Sequence, residues 1–205
     1  MNAKRRAAIL ISGSGSNMVA LIEASRQEGY PVEFVSVISD KAEAGGLQKA
    51  EALGVPARAF PRRDHASKDA HEQAILDHLA ALDVEIICLA GYMRLLSGAF
   101  ISAYQGRIFN IHPSLLPLFP GLHTHQRAIE AGMKVSGCTV HHVTEGMDEG
   151  PAIAQAAVPV LDGDTPDTLA ARVLRAEHRL YASALARALG EARPTDADAM
   201  VLSLG

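Results

Sequence analysis

The chain has 205 residues, 48% apolar and 20% charged, which excludes an intrinsically disordered chain and leaves ample length for the core of a single domain. Lys and Arg total 19 against 23 Asp and Glu, so at a net −4 no global basic field points to nucleic acid or an anionic membrane. The 2 cysteines, Cys88 and Cys138, each lie in an apolar run; they offer no disulfide framework or zinc-knuckle spacing and fit a reducing cytoplasm.

The basic start MNAKRR precedes an apolar run of only Ala7 to Ile11, shorter than the roughly 7–15 residues of a secretory h-region. No run approaches the roughly 18–20 residues needed to span a bilayer, so the sequence reads as soluble and unprocessed. Ala7–Ile11, Phe34–Ile38 with Val32, and Ile86–Ala90 read as buried strands. Helical spacing fills the intervals at Met18–Glu28, Gly46–Leu53 and about Ala70–Leu82. This alternation predicts an α/β fold: a doubly wound, mostly parallel sheet with helices on both faces. The second half adds extended candidates at Arg107–His112, Cys138–Val143 and Ile153–Val160, which bring in an antiparallel element. Thr165 caps a long helix with Pro166 at its first position, and Gly190 stops it. A single domain over 1–205 is expected, with 191–205 as a peripheral tail of weak periodicity.

In such sheets ligands sit beyond the carboxyl ends of the strands, so the loops there carry the chemistry. The first is Ser12-Gly13-Ser14-Gly15-Ser16-Asn17, running into a helix. Glycines admit a ligand close to the backbone, and a helix N-terminus presents unpaired N–H groups to an anion such as phosphate. It lacks the Lys-Ser/Thr of a Walker loop, and Met18 stands where a dinucleotide fingerprint needs its third glycine, although Asp40 sits where a ribose-binding acid would. An ordinary Gly-rich turn capped by Ser16 or Asn17 is the competing reading.

Gly91-Tyr92-Met93-Arg94-Leu95-Leu96 follows the third strand and could wall a pocket for a flat, partly apolar ligand; a helix start with a surface Arg reads equally well. The segment Asn110-Ile111-His112-Pro113-Ser114-Leu115-Leu116-Pro117 is the densest signal. On a strand Asn110 and His112 project together, and an amide beside an imidazole can hold a developing oxyanion and move a proton. The competing reading is a polar strand end with a satisfied histidine. Among 9 histidines, His123, His125, His141 and His142 raise the question of a metal, yet there is no HExxH, no cysteine lies near another ligand, and the adjacent His141 and His142 face opposite ways on a strand. No metal is expected.

The acidic loop Thr144-Glu145-Gly146-Met147-Asp148-Glu149-Gly150-Pro151 could place Asp148 where its charge favours a protonated His112. Glu177 lies beside Val173, Ala176 and Leu180 with no basic residue at i±3 or i±4, so it either reaches for a ligand's hydroxyls or sits at a surface edge.

Taken together and in this order, ILISGSGSN, LAGYMRLLS, NIHPSLLP, PGLHTHQRAIEAG, GCTVHHVTEGMDEGP and the ARV…EH helix resemble the phosphoribosylglycinamide formyltransferase family, from Ile9 to about Tyr181. That resemblance implies transfer of a formyl group from 10-formyltetrahydrofolate to the amine of glycinamide ribonucleotide in purine biosynthesis. It implies Asn110, His112 and Asp148 as catalytic residues, Gly15, Ser16 and Asn17 on the substrate phosphate, and Glu177 on its ribose. Met93, Arg94, Leu95 and Leu96, together with Asn110 and the loop Thr144, Glu145, Gly146, Met147 and Asp148, would bind the folate.

Two positions depart from the pattern. Ser14 replaces an Asn of some members, and Lys68 stands where some carry an Arg folate contact and lacks that residue's bidentate fork. The expected partners are those small molecules, without nucleic acid or membrane, in a monomer or homodimer. Formyltetrahydrofolate deformylase would use the same residues with water as acceptor, but its added N-terminal domain has no counterpart before Ala7. Methionyl-tRNA formyltransferase would need a basic C-terminal domain, and a dinucleotide-binding module would need the missing glycine.

Overall fold

The computed structural model describes residues 3–189, so the expected stop at Gly190 and the tail 191–205 lie outside the described residues. The chain divides into two compact units between Asn110 and Ile111.

In the first unit β1 (Arg5–Ile11), β2 (Val32–Ser39), β3 (Ala57–Ala59), β4 (Ile86–Leu89) and the start of β5 (Ile108–His112) lie in the order β3-β2-β1-β4-β5. β1 pairs with β2 and β4, β2 with β3 and β4 with β5, all in parallel. Residues Ala7 to Ile11 are wholly buried, as a strand covered on both faces requires. The connections run through α1 (Ser16–Ser25), α2 (Gly45–Ala52) and α3 (Lys68–Ala81), with α4 (Gly98–Ala103) between β4 and β5. From β1 the chain steps outward to β2 and β3, then returns to the other side of β1 as β4. Right-handed crossovers in two directions put helices on opposite faces and make β1/β4 the topological switch point. The loops after these two strands meet there: Ser12 N–H donates to the Gly91 carbonyl (3.1 Å), and Met93 N–H donates to Ser12 Oγ (2.8 Å).

The second unit holds β6 (Val135–His142) and β7 (Ala152–Pro159), an antiparallel pair, with α5 (Thr124–Glu130) and α6 (Pro166–Ala188). Thr165 caps α6 in a reciprocal capping box with Thr168, and Pro166 opens the helix, as expected. At Gly137 a Cβ would stand 2.0 Å from the Ala156 carbonyl oxygen and 2.8 Å from Leu115 Cδ2. Gly137→Ala is therefore expected to destabilise the protein by about 2–3 kcal/mol, since overpacking against backbone has little room to relax. Thermal unfolding checks this; an unchanged midpoint would mean that β7 yields freely.

The α/β class and the antiparallel element agree with the sequence reading. β3, α4 and α5 were not expected. β3 is three residues, Ala-Arg-Ala, with neither β-branched side chains nor a buried run. α4 and α5 have 6 and 7 residues, too short for a 3.6 period to declare itself.

Candidate active site

His112 ends β5 with only 6% of its surface exposed, and both edges of its ring are engaged. Nε2 lies 3.0 Å from the Phe119 carbonyl, which can only accept, so Nε2 carries the hydrogen. Nδ1 lies 3.2 Å from Asp148 Oδ2. When protonated, the ring can donate to both acceptors. The sequence-predicted His112 and Asp148 are thus brought together, and Asn110 stands two residues before His112 on the same strand.

Asp148 is fixed from more than one side. Gly121 N–H donates to its Oδ2 at 2.9 Å, and His141 Nε2 lies 3.8 Å from its Oδ1. His141 Nδ1 donates to the His142 carbonyl at 2.9 Å. Burial lowers the pKa of His141, against the opposing pulls of that carbonyl and the Asp148 charge. A neutral His141 protonated at Nδ1 offers Asp148 no proton, which leaves the carboxylate's charge committed to His112. Burial, and then the charge of His112, also lower His125.

The backbone places these groups through unusual geometry. Phe119, His123 and Asp148 have φ of 53°, 57° and 57°, left-handed values that non-glycine residues seldom adopt. The loop after His112 is tied to β6 through Thr139, whose Oγ1 donates to the Ser114 carbonyl (2.7 Å) and accepts from Leu116 N–H (3.0 Å). Gln155 Nε2 donates to the Leu116 carbonyl at 2.7 Å. Arg127 lies over the Phe119 ring, 5.4 Å from its centroid.

In the first unit the Gly-rich loop leads into α1, whose cap is Gly15 (φ 69°), not Ser16 or Asn17, and no acidic residue lies in the first turn. The loop also abuts α2: Gly46 N–H donates to the Gly13 carbonyl at 3.0 Å, and a Cβ on Gly15 would meet Gly46 Cα at 3.0 Å. Lys49 reaches the Ser14 carbonyl at 2.9 Å.

Gly91 to Leu96 does not begin a helix; α4 starts at Gly98 with Ser97 as its cap. Met93 and Leu95 are exposed, and Arg94 Nε donates to Asp40 Oδ2 at 2.7 Å. The Asp40 side chain has no exposed surface, so it cannot serve as the ribose-binding acid of a dinucleotide site. Lys68 opens α3, half exposed, 3.7 Å from the buried Glu72, which also accepts from Ser97. Thr144, Glu145 and Met147 are exposed in the turn after β6. Glu177 is buried on α6 rather than at a surface edge, and burial together with its charge pushes the Cys138 thiol up to about 12.

Sequence reasoning missed the Phe119 carbonyl, Gly121 N–H, His141 as a neighbour of Asp148, and Asp40 as the anchor of Arg94. Only His141 carried a signal: strand alternation sends one member of the His141-His142 pair toward each side. Among the described residues no group of three or more His, Cys, Asp or Glu is gathered to hold a metal, and no helix is long and apolar enough to cross a membrane.

Comparison with known proteins gives concordant matches. The family described as formyl transferase matches residues 5–185. The trifunctional purine biosynthetic protein adenosine-3 of Drosophila pseudoobscura pseudoobscura is 49% identical over 185 residues, 89% of this chain. The chain spans only 14% of that protein's length. The phosphoribosylglycinamide formyltransferase of Bacillus subtilis (strain 168) is 42% identical over 186 residues, covering 91% of this chain and 95% of that one. A crystal structure of phosphoribosylglycinamide formyltransferase from Brucella melitensis superimposes with a TM-score of 0.89 at 66% identity, over 94% of this chain and 100% of that one.

Proposed function

The chain belongs to the formyl transferase family, and from that premise we propose that it moves the formyl group of 10-formyltetrahydrofolate onto the primary amine of glycinamide ribonucleotide. The products are N-formylglycinamide ribonucleotide and tetrahydrofolate, in de novo purine biosynthesis. The observation that carries this reading is the His112 ring held between the Phe119 carbonyl and the Asp148 carboxylate. It supplies a positive, proton-bearing group beside Asn110, whose side chain adds an amide donor.

The neutral amine attacks the formyl carbon, and the carbonyl π electrons move onto oxygen. The Asn110 amide donates to that oxyanion, a contribution of the kind worth about 10²–10³ in rate, and a protonated His112, its N–H groups directed at Phe119 and Asp148, favours it by charge. Asp148 takes the proton that the attacking nitrogen loses, directly or through water. As the bond from carbon to N10 breaks, the proton taken up by Asp148 passes to N10, directly or through water. One proton leaves the amine and one arrives at N10, so Asp148 ends the cycle as it began. No covalent enzyme intermediate forms.

The Gly15-capped N-terminus of α1, with no acidic residue in its first turn, supports a phosphate contact at Gly15, Ser16 and Asn17, and the buried Glu177 a contact with ribose hydroxyls. The donor's contacts fall to Lys68, Met93, Arg94, Leu95, Leu96 and Asn110 and to the loop Thr144–Asp148, whose exposed Met93, Leu95 and Met147 suit an apolar ring system. The buried thiols of Cys88 and Cys138, not joined in a disulfide, suit a reducing cytoplasm. The chain acts there as a monomer or homodimer.

The test follows the absorbance of 10-formyl-5,8-dideazafolate, a donor analogue, with and without glycinamide ribonucleotide. Deformylation that depends on the ribonucleotide is expected. Equal loss without it would make the chain a hydrolase, and no loss in either case would overturn the formyl-transfer reading.

A further inference from the structure

Asp40 follows directly on β2, and its side chain has no exposed surface. Its Oδ2 accepts from Arg94 Nε at 2.7 Å, while its Oδ1 is buried with no hydrogen-bond partner. A carboxylate hidden from water is costly unless paired, and here the pair is made with a side chain that is itself 51% exposed. Among the described residues, Asp40 is the hydrogen-bond partner of Arg94, and the bond uses Nε. Nε is the inner nitrogen of the guanidinium. A bond there restrains the plane of the fork and leaves Nη1 and Nη2, the pair that matches a carboxylate bidentately, outside that hydrogen bond.

The neighbourhood explains why the anchor is rigid. Tyr92, between the loop and the core, is buried, and its hydroxyl is kept protonated by burial and then by the charges of Asp40 and Glu72. Met93 is pinned through its N–H to Ser12 Oγ, so the backbone that carries Arg94 is fixed one residue before it. Arg94 therefore starts from a fixed stem and a fixed inner nitrogen, with its outer edge open. A long side chain held this way loses little rotamer freedom when it binds.

Resting on the formyl-transfer reading above, we propose that Asp40 is a positioning residue for the formyl donor, holding Arg94 so that its outer nitrogens receive a carboxylate of the donor's acidic glutamate tail. Asp40 makes no contact with substrate in this role, since none of its side-chain surface is open. It acts on binding alone.

The experiment compares 10-formyl-5,8-dideazafolate with 10-formyl-5,8-dideazapteroate, which lacks the glutamate, in the wild-type chain and in Asp40→Ala and Asp40→Asn. Asp40→Ala is expected to raise KM for the glutamate-bearing donor about 10-fold with kcat within about twofold, the pattern of lost uniform binding. The same variant is expected to leave KM for the pteroate donor within about twofold. Asp40→Asn keeps an acceptor for Nε without the charge and should raise the first KM only about threefold. It also retains the size of the side chain should the alanine variant fail to fold. An equal rise for both donors, or no rise for either, would overturn the proposal. Turnover of neither donor by the wild-type chain would overturn formyl transfer itself, a failure visible before any variant is made.

Discussion

Replacing His112 by alanine is expected to lower kcat about 1000-fold while the affinity for both substrates stays within several-fold. The positive charge beside the oxyanion and the partner that orients Asp148 are lost together; at 1.36 kcal/mol per decade the loss is about 4 kcal/mol of transition-state stabilisation. Instability would not be the cause. Asp148 keeps its bond from Gly121 N–H at 2.9 Å, and the loop after His112 stays tied to β6 through Thr139. The measurement is single-turnover transfer alongside a thermal unfolding curve. A variant that holds its midpoint yet retains wild-type turnover would remove His112 from the chemistry.

Asp148→Asn separates charge from shape. Asparagine tolerates the left-handed backbone that Asp148 adopts (φ 57°), whereas alanine would add strain there. Gly121 N–H and His112 Nδ1 meet the same oxygen, Oδ2, so an amide oxygen in its place can still accept there without the charge. The substitution thus removes a proton acceptor and the negative partner of the ring with almost no change of geometry. A loss of about 100- to 1000-fold in kcat is expected, with KM little changed. Because the two residues act as one unit, the Asp148→Asn and His112→Ala losses should combine well below their product in the double variant. Near wild-type turnover in Asp148→Asn would show that the carboxylate's charge takes no part.

Much of this was legible in the residues, because buried strands and a strand's period of two are local signals. Ala7–Ile11 and Ile86–Leu89 stand out as apolar runs, and the spacing of Asn110 and His112 defines one face of β5. The Gly-rich loop was visible too, but not which residue caps α1, since the cap depends on the close approach of Gly46 from α2. The environment of His112 was hidden for a similar reason. Phe119, Gly121 and Asp148 reach it through left-handed turns that composition does not announce. Asp40 and Arg94 lie 54 residues apart, so only the sheet order, with β2 and β4 on either side of β1, relates them.

The glycine-capped start of α1 has a consequence for fidelity. On the proposed reading, a protonated imidazole, an amide and a carboxylate would assist attack by water as readily as attack by an amine. Nothing in their chemistry favours the intended nucleophile. Protection against wasting activated one-carbon units must therefore come from occupancy, with the ribonucleotide's phosphate, held at the start of α1, keeping its amine in place of water. A helix end that performs no chemistry would then decide whether the enzyme is a synthetic catalyst or a leak.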